Sequence, residues 1–181
     1  QTGSKTKSTG SKPAQTDSKA ELDKKNKDAG TVTIGTQRWA VANLDVNVFR
    51  NGDTIPEAKT NKEWVTAGES GKPAWCYYNN DPEKGRKYGR LYNWYAVNDP
   101  RGLAPVGWHI PTIDEYYDTL VTKVNNDANA LKAVVQGTDP NTGTNTSGFS
   151  AMLTGHRGID GHFYNIYYGA PLWSSKRYTL G

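Results

Sequence analysis

The side chains able to do acid–base, nucleophilic or metal chemistry are few and scattered. His109, His156 and His162 are the three histidines, and Cys76 is the single cysteine. No two histidines fall three or four residues apart, so a zinc site would have to be collected from distant segments. Ser174 and Ser175 follow Trp173, with His156 and Asp160 upstream, but no Gly-x-Ser-x-Gly elbow surrounds either serine. A loose set of serine, histidine and aspartate occurs in almost any chain, so no catalytic residue is assigned and the protein is read as a non-enzyme. Cys76 cannot form an internal disulfide and reads as a buried, inert thiol. His109, between Trp108 and Ile110, reads as a buried histidine bonded to backbone. Asn79, Asn80 and Asp81 are the calcium candidates, since they offer oxygen ligands in succession. Calcium takes about six to eight oxygens from a shaped loop, and a turn bonded to its own backbone explains the run more simply. No cofactor is expected.

Contact chemistry is better represented. Tyr164-Asn165-Ile166-Tyr167-Tyr168, with His156 and Arg157 across a turn, mixes stacking surfaces with hydrogen-bonding groups. His156, Arg157, Tyr164, Asn165, Tyr167 and Tyr168 are therefore the candidate binding residues, with a protein partner or self-association favoured over a glycan. The alternative is that Phe163 and Ile166 are core and the rest only cover a sheet. Thr54, in an Asp-Thr-apolar triplet beside a hairpin, is the glycosylation candidate. Asn145-Thr-Ser is a sequon that matters only in a host that uses it.

These residues need elements to hold them. Thr112 and Glu115 have the spacing of a capping box, and Pro111 stops the helix from extending backwards. Ile113, Tyr116, Tyr117, Leu120, Val121 and Val124 then recur at helical spacing. Leu91, Trp94, Tyr95 and Val97 predict a second, shorter helix. Strands are expected at Val32–Ile34 and Gln37–Val41 around Gly35-Thr36, and on both sides of Asn51-Gly52. Further strands are read at 74–78, 149–153, 162–168 and from Leu172. The stretch from Glu57 to Lys72 reads as loop packed down by Trp64, and Asn79–Gly85 reads as a turn. A helical turn is expected near 130–135, and 136–148 reads as a loop. Together these make an α+β domain. Trp94, Trp108, Thr112, Glu115 and Trp173 are its expected structural residues.

The chain is 35% hydrophobic with a net charge of +4. Residues 1–30 hold seven lysines against four acids, leaving fifteen basic and fourteen acidic residues in the remainder. The charge sits in a tail with one large apolar residue, Leu22. Residues 1–30 are therefore read as a disordered or linker tail, and nucleic acid is not expected as a partner. No apolar run is long enough for a transmembrane span.

Tyr88–Val97, the Gly107-Trp-His-Ile-Pro-Thr run, Trp75–Asp81, Gly148-Phe-Ser150 and Trp173-Ser-Ser175 occur in an order that resembles the Fibrobacter succinogenes major paralogous domain. The match covers the chain from about Thr31, so 31–181 is taken as one such domain. The resemblance implies secreted or cell-surface, outer-membrane-associated bacterial proteins, largely of the Bacteroidota. It also implies a C-type-lectin-like fold related to the formylglycine-generating enzyme, with two helices on a twisted, mainly antiparallel sheet and long loops. The paired cysteines of that enzyme have no equivalents here, so its activity is not carried over. A cysteine often found before the Pro-x-Gly-Trp-His segment is replaced by Ala104. The family's closing C-terminal strands would lie past Gly181, so truncation is the favoured reading, with coverage of the open edge by another chain or by this chain's own tail as the alternatives. The expectation is a surface or secreted binding and adhesion module, possible parts of an envelope assembly included. A structural subunit that assembles by strand addition and a carbohydrate-binding module are the alternatives.

Overall fold

The computed structural model describes residues 30–134 and 142–176. The expectations for the tail 1–29 and for 135–141 lie outside the described residues. β1 (Thr31–Ile34) and β2 (Gln37–Ala40) form the hairpin that their alternation predicts, with Val32 opposite Trp39 and Ile34 opposite Gln37. Gly35 takes the left-handed conformation the turn requires, at φ +62°. After the Asn51-Gly52 turn the ladder shrinks to one bridge, Val48 to Thr54, where strands were expected.

Helices occupy more of the chain than the sequence suggests. α1 (Asn61–Glu69) stands where a loop is predicted. Thr60 caps it by accepting from Glu63 N, and the Glu63 carboxylate accepts from Thr60 N in return. β3 (Trp75–Cys76) is two residues long and is followed by a short 3-10 turn at Tyr78–Asn80. α2 (Pro82–Tyr88) replaces most of the expected turn, capped by Asp81 with proline at its start. β4 (Leu91–Tyr92) pairs with β3, so the second predicted helix shortens to α3 (Trp94–Val97), capped by Asn93.

The Thr112 capping box is present: Glu115 N donates to Thr112 Oγ1, and Thr112 N to the Glu115 carboxylate. Behind it, α4 (Glu115–Val121) winds as a π-helix, a wider turn than the spacing assumes. Its apolar residues therefore divide. Leu120 is buried and Tyr116 packs against Trp39, whereas Tyr117 is 62% exposed. α5 (Ala128–Leu131) follows, then the antiparallel pair β5 (Thr154–Arg157) and β6 (Phe163–Ile166). The strand expected at 149–153 is reduced to a bridge from Ala151 to Lys132, and 170–176 has no regular structure. Among the described residues the strands form three separate two-stranded sheets rather than one twisted sheet.

Three apolar clusters fill the interior. Val46, Phe49, Ile55, Trp75, Tyr92 and Val97 form one. Ile34, Trp39, Leu120 and Phe149 join the first hairpin to α4. Ala58, Trp64, Ala74 and Cys76 seat α1 on β3. Arginines supplement this modest core. Arg90 lies 4.3 Å from the Trp75 ring centre and pairs with Asp45, and Arg101 lies 4.1 Å from Phe49. The buried tryptophans are thus Trp39, Trp64 and Trp75. Trp94 and Trp108 are half-buried and Trp173 is 45% exposed, so the three tryptophans read from sequence as core lie at its margin.

Candidate functional site

β5 and β6 pair so that successive positions face opposite ways. His156 stands opposite Tyr164, and Arg157 opposite Phe163. The Tyr164 ring is held on three sides. His156 stacks on it with ring centres 5.6 Å apart and planes 30° apart. Its hydroxyl donates to Asp160 Oδ2 at 2.5 Å. Its edge lies over Gly158, where an added Cβ would come within 2.9 Å of the ring. Asp160 also accepts from His162 N and lies 3.3 Å from His162 Nδ1. The Tyr164 and His162 hydrogen bonds hold the Asp160 carboxyl below its ordinary value, and the same carboxylate pushes the Tyr164 hydroxyl up.

Arg157, a candidate ligand contact on sequence, is interior. Its guanidinium donates to the carbonyl oxygens of Gly161 and Ala58, both at 2.8 Å, and to Asn61 Oδ1 at 3.3 Å. It also lies against the rings of Trp64 and Phe163. A buried cation is tolerable because carbonyls and ring faces replace water around it. Of the other candidates, His156 is half-buried with its Nδ1 enclosed and unpaired, and the rest are exposed. Asn165 is exposed, Tyr167 is 55% exposed and Tyr168 81%. Asn165 and Tyr167 both have positive φ, and they turn the chain after β6. Ile159, which sequence reading did not single out, is 96% exposed at the hairpin tip.

A separate open cleft of about 660 Å³ lies between α4 and residues 170–176, lined by Trp94, Ile113, Tyr117, Val121, Leu172 and Trp173. Trp173 donates its indole N–H to the Tyr92 carbonyl, and Ser175 N bonds Pro111 O. These contacts tie the C-terminal stretch to the helix entrance.

The other chemical candidates are committed elsewhere. Asn79 and Asn80 adopt left-handed backbone, and Asp81 Oδ1 accepts from Glu83 N as a helix cap. Among the described residues no group of three His, Cys, Asp or Glu side chains could hold a metal. His109 is exposed rather than buried, and its Nε2 meets both Glu115 oxygens at 2.8 and 3.0 Å. Ser174 Oγ donates to Lys176 O, and His156 is engaged with Tyr164. Cys76 is fully buried, and burial pushes its thiol up to about 11. The Asn145 side chain is tied to Ser150. Thr54 is exposed beside its hairpin turn.

Fold and surface define the class: a mixed α+β domain with an exposed aromatic face on one hairpin. The family model described as the Fibrobacter succinogenes major domain matches residues 32–181, and the chain belongs to that family. No curated protein and no solved structure matches it. No helix among the described residues is long and apolar enough to cross a membrane.

Proposed function

We propose that this protein is a non-catalytic binding or adhesion module working at the cell surface or outside the cell, on a C-type-lectin-like scaffold. The observation that carries the reading is where large apolar side chains meet water. Ile159, Tyr164, Tyr167 and Tyr168 are all exposed on the β5–β6 hairpin or in the turn that follows it. Aromatics gathered at a surface are the usual material of contact sites, because they bring large area and a polar edge at low entropic cost. Binding here is passive: the helices and clustered core fix the hairpin, and the hairpin presents its outer face to a ligand.

Beads coated with the protein should adhere to cell-envelope preparations. A Tyr167→Ala/Tyr168→Ala double variant should lose that adhesion with its melting temperature unchanged. Equal adhesion by the variant refutes the reading.

A second reading is self-assembly by strand addition. It is favoured by one observation, that each described sheet has only two strands and so presents two edges. Light scattering decides it, since discrete monomers across a concentration series remove it.

A further inference from the structure

We infer that the outer face of the β5–β6 hairpin takes a neutral saccharide, one hexopyranose stacking on Tyr164 with its hydroxyls bonded by Asp160 and His162. This deepens the binding reading above, on which it rests, by naming the ligand chemistry.

The argument begins with the ring. A pyranose presents one face of C–H groups and a rim of hydroxyls, so it needs a flat apolar plate edged by hydrogen-bonding groups. Tyr164 is 41% exposed. His156 stacks on it, Gly158 admits its edge, and Asp160 fixes its hydroxyl. A ring already fixed this way loses little rotamer freedom when a ligand covers it.

The rim is present too. A carboxylate has about four lone-pair sites, and the described contacts of Asp160 come from the Tyr164 hydroxyl and from His162. His162 is 65% exposed at its side chain.

Charge selects among sugars. The nearby cation Arg157 is buried and spent on carbonyls, so the surface charge beside Tyr164 is the Asp160 carboxylate. That charge opposes sialylated, sulfated or uronic ligands and accepts hydrogen bonds from the hydroxyls of neutral ones. A single exposed plate binds weakly, so densely displayed probes are the right first test.

The intact chain is applied to an array of neutral gluco-, galacto- and manno-oligosaccharides beside sialylated and sulfated ones. The strongest neutral oligosaccharide is then titrated by calorimetry. Neutral probes should be retained, with or without a chelator. Tyr164→Ala should weaken binding by about tenfold or more, and Tyr164→Phe, which keeps the plate, by less. His162→Ala, at an exposed position with ordinary backbone, should weaken binding with an unchanged melting temperature, which guards against a Tyr164 variant that fails to fold. Preference for anionic probes, or loss in chelator, overturns the inference. So does a failure of every neutral probe while envelope adhesion persists, and that outcome leaves the binding reading standing. Failure of both removes both.

Discussion

The two faces of the β5–β6 hairpin are built from similar materials and end in opposite surroundings. On the inner face Arg157 and Phe163 stand opposite each other, and on the outer face His156 and Tyr164 do. Inside, the guanidinium spends its donors on Gly161, Ala58 and Asn61 and covers two aromatic rings. Outside, one side of the Tyr164 plate is braced while the residue stays 41% exposed. Neither an aromatic nor a nitrogen-bearing side chain is in itself a binding residue. What separates the faces is burial, since Arg157 is enclosed while Tyr164 keeps much of its ring in water.

Substitutions should sort by face. Trp64→Ala, which empties the site beneath Arg157 and removes the indole bond to Gly158 O, should cost roughly 3–5 kcal/mol in urea denaturation. Arg157→Met should cost about 3 kcal/mol by stranding buried carbonyls, and a value near zero would break the comparison. Thr60→Ala, at the cap of the helix that supplies Asn61, should cost about 1 kcal/mol. Tyr168→Ala on the outer side should stay within about 0.5 kcal/mol of the parent. The smallest effect is a local one in acid. The folded-state value of Asp160 is depressed, so its bonds are intact above the ordinary carboxylate range near ~4 and are lost as pH falls below it. The Tyr164 ring resonances should shift in that window while those of Trp64 do not.

How much of this was legible depends on how local the signal is. The Thr112–Glu115 box was readable because both halves sit within four residues and an apolar series follows. Thr60 and Glu63 carry the same spacing, and Asp81-Pro82 is an ordinary helix opening. Both were passed over because their helices bury so little: Trp64 in α1, and Gly85 and Tyr88 in α2. The split of Tyr116 from Tyr117 was hidden by the π-helical winding, which no spacing rule at 3.6 residues per turn anticipates. Arg157 was misplaced for a different reason. Its acceptors Ala58 and Asn61 lie 99 and 96 residues away, and nothing near it in the chain announces them. Motifs single out Trp94, Trp108 and Trp173, but burial depends on what packs over an indole. Arg38 covers the half-buried Trp108, whereas Ile55 O accepts the N–H of the deeply buried Trp75. On the candidate surface, the cluster Tyr164, Asn165, Tyr167 and Tyr168 was visible because it is contiguous, while the bracing by His156 and Gly158 needed three dimensions.

Gly158 is the partition between these two worlds. Its carbonyl is gripped from within by Trp64, and its bare α-carbon makes room for Tyr164 without. A saturation library screened once for folding and once for ligand capture would find most neighbours intolerant in only one screen. Position 158 should fail both, and pressure applied to the plate should register in the tryptophan fluorescence beneath it.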